Sequence, residues 1–349
     1  SFHRATGRTE YAGTRRCRAG ENHMASLVGG FDPVENRNID AEQSTLIRDF
    51  LDSLGLAESS VETVTVQSFD SSSGGDSPAP FVLSDTITAA TALAPDGKQI
   101  SLSLNPDAET GKTLIIQGSG DALITGSGSG DNIQAGSGSD TIDAGIGDDL
   151  VRGGIGSDSL LGGLGNDIIY GNTGSDTLAA DGGANSLFGG QGEDHISGGA
   201  DGDFLMGNRD ADIVHGNAGW DIVYGNQQND TIFGGAGDDT LYGGQNDDML
   251  EGGSGDDALH GNLGGDQFVF RNNSGVDVIH DFVAGTDTIV VSTGINGLPV
   301  TEPGDLTTRI SSDALGNAVI DFGGGNVVTI DGLNAHDLLS DIGSYISIG

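Results

Sequence analysis

A pattern of nine residues repeats without a gap over residues 117–269, which amounts to 17 consecutive copies. In copies such as GGIGSDSLL (153–161) and GGAGDDTLY (234–242), glycine occupies positions one, two and four, aspartate position six and an apolar residue position eight. Position eight is apolar in every copy, and position six is Asp in all but one of the copies from residue 126 onwards. Because a disordered acidic tract would not keep this phase, the repeat predicts a solenoid of small stacked units.

Each copy divides into a strand and a turn. The three residues around position eight suit a very short strand, with the central side chain inward and positions seven and nine outward. The preceding GGxGxD must reverse the chain, and glycine allows the positive φ that such a turn needs. Two copies then form one coil, so that residue i stacks on residue i + 18. Asn, which also tolerates positive φ, replaces the second glycine at Asn172, Asn208, Asn217, Asn226 and Asn262.

Stacking would place the position-six residues in two columns of carboxylates. Unit charges about 5 Å apart repel by ~0.8 kcal/mol per pair even in water, and one aliphatic residue in nine is a thin core against the ordering entropy of glycine. Ca²⁺ relieves both problems, because it accepts carboxylate and backbone carbonyl oxygens in flexible geometry, whereas Mg²⁺ demands a stricter octahedron. The alternative is that these aspartates only form turns. We predict calcium ligands, for up to about a dozen ions, at Asp131, Asp140, Asp149, Asp158, Asp167, Asp176, Asp194, Asp203, Asp212, Asp221, Asp230, Asp239, Asp248, Asp257 and Asp266.

Some copies depart from the pattern. Asn185 replaces the acid, so we expect a weaker site there and the softest point of the array. The first copy, 117–125, lacks the position-six Asp and is expected to be a capping coil. We also expect poorer sites where the fourth glycine is replaced, at Ser129, Asp201, Asp210, Gln228 and Asn246.

The charge of the chain restricts its partners. It has 52 acidic and 13 basic residues, a formal net charge of −39. Nucleic acid and anionic membrane surfaces would therefore be repelled, whereas cations are attracted. No apolar run approaches the ~18 residues of a transmembrane segment, and a single cysteine, Cys17, excludes an internal disulfide.

The pattern GGxGxDxUx, with U apolar, resembles the RTX family, whose haemolysin-type nonapeptide repeats bind calcium. The resemblance implies an all-β fold, a calcium-stabilised parallel β-roll with a β-rich C-terminal cap. It also implies a secreted, extracellular protein that passes through type I secretion machinery without a cleaved N-terminal signal.

Residues 270–349 are predicted to form that cap. The stretch DVIHDFVAGTDTI (277–289) resembles the segment that follows RTX arrays in secreted metalloproteases and alginate epimerases. It supplies three weaker candidate ligands, Asp277, Asp281 and Asp287. Residues 318–322 and 326–330 alternate apolar and polar side chains, as the strands of a hairpin around three glycines do. By resemblance alone, this region carries the type I secretion signal.

Four segments precede the array. Residues 1–23 are expected to be a non-native or unstructured leader, with Met24 as the true start. Residues 24–69 form a small segment with a helix at 40–54, which begins at a capping-box-like Asp40–Gln43 and continues with apolar residues at helical spacing. Residues 70–80 (DSSSGGDSPAP) resemble a linker in composition, and residues 81–116 are expected to be strands that lead onto the roll.

The sequence favours a non-enzymatic function. It contains neither HExxH nor GxSxG, and the residues before the array are too few for a protease or epimerase domain. We expect a structural or assembly role, as in a matrix, surface layer or adhesin. The alternatives are a detached secretion and folding module of a larger toxin or secreted enzyme, and ice or glycan binding along one face of the roll.

One outward face of the predicted roll is rich in large side chains. A soluble monomer rarely exposes such a contiguous apolar patch, so we expect a cover, either the helix at 40–54 or a neighbouring subunit. The alternative is that stacked rings simply stabilise the strands that carry them. The candidate interface comprises Tyr170, Phe188, Phe204, Met206, Ile222, Tyr224 and Tyr242.

Overall fold

The computed structural model describes residues 99–105 and 107–349 in full, together with the backbone of four strands nearer the N-terminus and the burial of Ala92. The described chain is mostly β and forms two long sheets, of 16 and 13 strands. Successive strands of the array alternate between the sheets, and neighbours within a sheet run parallel. The architecture is therefore a parallel β-solenoid, as the repeat predicts.

The first sheet contains β1 (Ala25–Leu27), β2 (Val64–Gln67), β4 (Ala89–Ala94), β6 (Thr113–Gly118), β8 (Asn132–Gln134), β10 (Leu150–Ile155), β12 (Ile168–Thr173), β14 (Ser186–Gln191), β16 (Phe204–Arg209), β18 (Ile222–Gln227), β20 (Thr240–Gln245), β22 (Ala258–Leu263), β24 (Val276–Ile279), β26 (Ile310–Ser312), β27 (Asn317–Gly323) and β28 (Asn326–Asn334). The second sheet contains β3 (Phe81–Leu83), β5 (Ile100–Leu104), β7 (Ala122–Ser127), β9 (Thr141–Ile146), β11 (Ser159–Leu164), β13 (Thr177–Ala179), β15 (His195–Gly199), β17 (Ile213–Ala218), β19 (Thr231–Ala236), β21 (Met249–Ser254), β23 (Gln267–Phe270), β25 (Thr288–Val291) and β29 (Ile346–Ile348).

The register confirms the stacking of residue i on residue i + 18. Leu150 pairs with Ile168 and Tyr170 pairs with Phe188, and the same offset holds along both sheets of the array. The side chain at position eight, from Ile124 to Phe268, is at most 1% exposed in every copy. The position-eight side chains of the two sheets, aliphatic in every copy but the last, thus form the core of the array.

The array strands are longer than the three residues that the sequence suggested. Leu150–Ile155, for example, runs from position seven of one copy to position three of the next. The ladder continues because the glycine pair at positions one and two stays in register with the coils on either side, as Gly154 does with Asn172. The turn therefore occupies fewer residues than the predicted six.

Positive φ recurs at the second and fourth positions. The five asparagines that replace the second glycine have φ between 66° and 83°. At position four, Asp210, Gln228 and Asn246 also adopt positive φ, between 69° and 80°, so these turns keep the backbone path that glycine gives elsewhere. The substitutions are accommodated at a cost in backbone strain rather than by a different turn.

Beyond the array, the two sheets continue into a C-terminal cap. β24 pairs with β28 in parallel, and β27 and β26 then add in antiparallel fashion, so the hairpin predicted around Gly323–Gly325 is confirmed. Two 3₁₀ segments (Ile295–Gly297 and Pro303–Arg309) and two short helices, α1 (Ala335–Ser340) and α2 (Ile342–Tyr345), pack around it. The cap has an ordinary apolar core, which includes Phe270, Ile320, Phe322, Ile330 and Leu338.

The predicted leader (1–23), the helix at 40–54 and the linker at 70–80 lie outside the described residues. Within the part of the chain that is described, no helix has the length and apolar character to cross a membrane.

Candidate calcium sites

The fifteen predicted aspartates occupy equivalent places in the turns. Each is only 1–3% exposed. In most of them Oδ1 accepts a hydrogen bond from the backbone N–H of the position-six residue one coil earlier, as Asp149 accepts from Asp131 at 2.6 Å and Asp239 from Asp221 at 2.8 Å. One carboxylate oxygen is therefore used to hold successive coils together, in two columns along the two edges of the roll.

The second carboxylate oxygen has no such partner. Oδ2 is buried without a hydrogen bond in fourteen aspartates, an arrangement that is costly for a charged group unless a cation compensates it. Four of the five turns whose fourth glycine is replaced, those with Asp201, Asp210, Gln228 and Asn246, share this feature, whereas the turn with Ser129 does not. The fourteen are Asp140, Asp149, Asp158, Asp167, Asp176, Asp194, Asp203, Asp212, Asp221, Asp230, Asp239, Asp248, Asp257 and Asp277.

Burial changes the acidity of these carboxyls. Desolvation raises the pKa of Asp149 to about 7, helped by the neighbouring carboxylates of Asp167 and Asp131. The same cause raises the pKa of Asp212 and Asp248 to about 8. Near neutral pH the roll therefore resists ionisation of its own aspartates, and a bound cation would reverse that preference.

In most copies glycine at position one lies beside the free oxygen, whereas Ala135 and Ala144 occupy this position in the copies of Asp140 and Asp149. A Cβ at Gly225 would contact Oδ2 of Asp230 in the same copy and would lie 2.7 Å from the carbonyl oxygen of Gly243 in the next coil. Gly189 is surrounded in the same way by Asp194 and, at 2.9 Å, the carbonyl of Gly207. A carboxylate oxygen and a backbone carbonyl thus line the same small space.

This donor set fits Ca²⁺. The polar atoms beside the space are carboxylate and carbonyl oxygens, which Ca²⁺ accepts in flexible geometry. Among the described residues, no three His, Cys, Asp or Glu side chains converge on one point. An ion held here would draw its remaining ligands from the backbone of the glycine-rich turns.

The two irregular positions of the array are already satisfied by the protein. Oδ2 of Asp131 accepts a hydrogen bond from the Ser127 N–H at 2.8 Å, so this first carboxylate has less need of a cation. Asn185 donates its amide N–H groups to the carbonyl of Gly183 (2.7 Å) and to Oδ1 of Asp203 (3.0 Å). The amide of Asn185 thus supplies direct hydrogen bonds where other turns present a free oxygen.

The three candidate ligands of the cap differ from one another. Asp277 is 1% exposed and keeps a free Oδ2. Asp281 accepts hydrogen bonds from the N–H groups of Gly261 and Asn262, both at 2.9 Å. Asp287 accepts from Asp266 N–H (3.0 Å) and from Val283 N–H (2.7 Å). Only Asp277 resembles the aspartates of the array.

The structure adds a second, outer series of hydrogen bonds that the sequence analysis missed. Position-five side chains accept from the backbone N–H of the position-five residue in an adjacent coil, as Asp148 does from Asn166 at 2.8 Å and Asp238 from Asp256 at 3.0 Å. These side chains are exposed and act as turn caps. The recurrence of Asp and Asn at position five was the available signal, and the stronger pattern at position six concealed it.

The candidate interface residues lie together on the first sheet. Tyr224 and Tyr242 stack with ring centroids 4.6 Å apart, Tyr170 and Phe188 at 4.9 Å, and Phe204 bridges Phe188 and Tyr224. Met206 pairs with Phe188 and Tyr224 in the ladder, and Ile222 beside them is 42% exposed. The rings are half-buried and contact one another along the sheet.

Fold and site together define a class of protein: a parallel β-roll whose turns present carboxylate oxygens to calcium. A model of the RTX calcium-binding nonapeptide repeat matches four consecutive stretches, residues 125–160, 161–196, 197–232 and 233–268. Residues 125–268 are therefore an array of RTX calcium-binding nonapeptide repeats. A comparison with curated proteins finds no match.

Proposed function

We propose that the chain is a secreted calcium-binding protein that remains unfolded in low-calcium cytosol and folds outside the cell. The observation that carries the proposal is the set of buried carboxylate oxygens without a hydrogen-bond partner, repeated along both edges of the roll. A chain whose charges are buried in this way gains its folding free energy from metal binding. We expect affinities like those of other extracellular calcium modules, roughly 10⁻⁴–10⁻³ M.

Export in the unfolded state follows from the same chemistry. Without Ca²⁺ bound to its carboxylates, a chain with a net charge of −39 repels itself and remains extended. Type I secretion machinery is the expected partner, and the resemblance of the C-terminal segment supports this route. Calcium outside the cell would then drive folding of the exported chain.

Outside the cell we propose a structural or assembly role. A β-roll of RTX repeats is a structural fold with no catalytic chemistry of its own. The aromatic ladder of the first sheet supports contact with a partner of the same or another chain, because Ile168 and Ile222 beside it remain 40% and 42% exposed. A matrix or surface layer would use the length of the roll as a rigid spacer.

The test compares the purified chain in chelator, in about 5–10 mM Ca²⁺ and in the same concentration of Mg²⁺. This Ca²⁺ concentration is roughly ten times the upper end of the expected dissociation constants. Circular dichroism should show a β-rich signal with Ca²⁺ only, and electron microscopy should then show whether the folded chain assembles. Equal β-structure in chelator and in Ca²⁺ would contradict the proposal. Folding without assembly would leave calcium binding in place and remove the assembly role.

A further inference from the structure

One column of carboxylates continues past the nonapeptide array into the cap. Asp277 follows Asp257 by 20 residues rather than 18, so the repeat is broken in sequence. The contact between the coils is nevertheless kept, because Oδ1 of Asp277 accepts a hydrogen bond from the Asp257 N–H at 3.1 Å. The cap strand β24 therefore stacks on β22 as another coil of the roll would.

Two buried oxygen atoms at this junction have no hydrogen-bond partner. One is Oδ2 of Asp277, and the other is the hydroxyl of Ser274, a residue that is only 4% exposed. Ser274 lies close enough to Asp277 to offset part of the rise in its pKa, which burial brings to about 8. Oδ2 of Asp257, one coil earlier, is free as well.

The opposite edge of the roll ends differently. Asp287 follows Asp266 by 21 residues, and both of its carboxylate oxygens accept backbone hydrogen bonds, from Asp266 and Val283. The carboxylate of Asp281 is likewise occupied by backbone N–H groups of Gly261 and Asn262. At this end of the roll, backbone N–H groups of the protein therefore compensate the carboxylates of both aspartates, and a cation is not needed there.

We propose that Asp277, Ser274 and Asp257 form a calcium site outside the nonapeptide repeats, which ties the cap to one edge of the array. The proposal rests on calcium binding by the array and extends it by one asymmetric site. A carboxylate, a hydroxyl and a second carboxylate are all oxygen donors of the kind that Ca²⁺ accepts. Because β24 lies between β22 and β28, an ion here would make the stacking of β24 on β22 depend on calcium, while the hairpin keeps its own apolar core.

The experiment counts bound calcium by equilibrium dialysis in the full chain and in two matched variants. Asp277→Asn keeps the shape and the Oδ1 acceptor but removes the charged oxygen, and it should lose one ion. Asp287→Asn makes the same change on the other edge, where backbone N–H groups occupy the carboxylate, and it should lose none. Equal ion counts in Asp277→Asn and the unaltered chain would overturn the proposal and indicate a protonated Asp277 paired with Ser274.

A second variant decides the matter if Asp277→Asn fails to fold. Ser274→Ala removes a hydroxyl without a hydrogen-bond partner, so this variant should fold and bind one ion more weakly. In the variant, protection of the β24 amides from hydrogen exchange should require a higher calcium concentration. Unchanged affinities for every ion in Ser274→Ala would then overturn the proposal. An unaltered chain that binds no calcium would remove the proposed function together with this site, whereas equal counts in all variants would remove this site alone.

Discussion

The array and the C-terminal cap use the same residue, aspartate, in opposite ways. In the array, burial raises the pKa of Asp212 to about 8 and leaves one oxygen without a partner. In the cap, the N–H groups of Thr301 and Glu302 donate to the exposed Asp305 and hold its pKa below the ordinary value. An aspartate at the surface of the cap is stable as an anion, whereas one inside the array needs a cation.

The two regions also differ in their apolar cores. The array buries one aliphatic side chain per nine residues, while the cap packs Phe270 against Phe322 with ring centroids 5.4 Å apart. Apolar burial contributes roughly 25 cal/mol per Å², so the cap has its own source of stability. The comparison teaches that one chain joins a metal-dependent solenoid to a conventionally packed end.

The largest expected effect is that of pH on the calcium-free array. In the folded chain, burial raises the pKa values of carboxyls in the array from the ordinary 3.8 to about 6 to 8. Their protonation therefore stabilises the folded state, fully so at a pH below 3.8. This contribution is lost as the pH rises through the folded pKa values. In chelator, the chain should therefore have more β-structure at about pH 5 than at about pH 7.5. Circular dichroism measures this, and a calcium-free array that gains structure as the pH rises would contradict it.

Next in size is the effect of filling one of the spaces beside the carboxylates. In Gly225→Ala the new methyl group contacts Oδ2 of Asp230 and lies near the Gly243 carbonyl, so it should displace the ion and cost about 1–3 kcal/mol. Gly343→Ala is the control, because nothing lies within 4 Å of the added Cβ there. Calcium titrations monitored by thermal unfolding should show a weaker midpoint in the first variant only. Equal midpoints would show that this space holds no ligand.

Sequence reasoning recovered the features that depend on period alone. The offset of 18, the buried position eight and the left-handed asparagines such as Asn172 all follow from a strict repeat and from backbone sterics. Sequence reasoning could not show that one oxygen of most array aspartates accepts a backbone hydrogen bond while the other has no partner, because that depends on the direction of the side chain. For the same reason, the sequence analysis treated Asp277, Asp281 and Asp287 as equivalent candidates. It did not identify Ser274, because this serine lies outside the nonapeptide array.

A smaller effect is expected at the aromatic ladder. Stacked cross-strand pairs contribute ~0.2–1 kcal/mol each, so Tyr224→Asp with Tyr242→Asp should lower stability modestly if stacking is their only role. A larger loss in the monomer would support cover by the segment at 40–54. Normal calcium-dependent folding with loss of assembly would support cover by a neighbouring subunit.

The control for the ladder places two charges on the opposite sheet. Thr177→Asp with His195→Asp alters a pair of exposed, directly opposed residues in β13 and β15. Sedimentation and thermal unfolding of both double variants separate the outcomes. If neither stability nor assembly changes in the tyrosine variant, the ladder is not an interface.

The smallest and most specific effect concerns Asn185. Asn185→Asp removes the hydrogen bonds to Gly183 and Asp203 and adds a carboxylate beside that of Asp203. The variant should therefore unfold at a lower temperature than the unaltered chain in limiting calcium and at a higher temperature in saturating calcium. If Asn185→Asp raised the unfolding temperature at all calcium concentrations, or lowered it at all of them, then a bound ion would not replace the hydrogen bonds of the Asn185 amide in this turn.

The most direct test of the account is hydrogen exchange along the chain with and without calcium at neutral pH. Amides of array strands such as β18 and β20 should be protected in millimolar Ca²⁺ and exchange freely in chelator, while the β27–β28 hairpin of the cap should change less. Array amides that remain equally protected in chelator would contradict this prediction, because the buried carboxylates would then be tolerated without a cation.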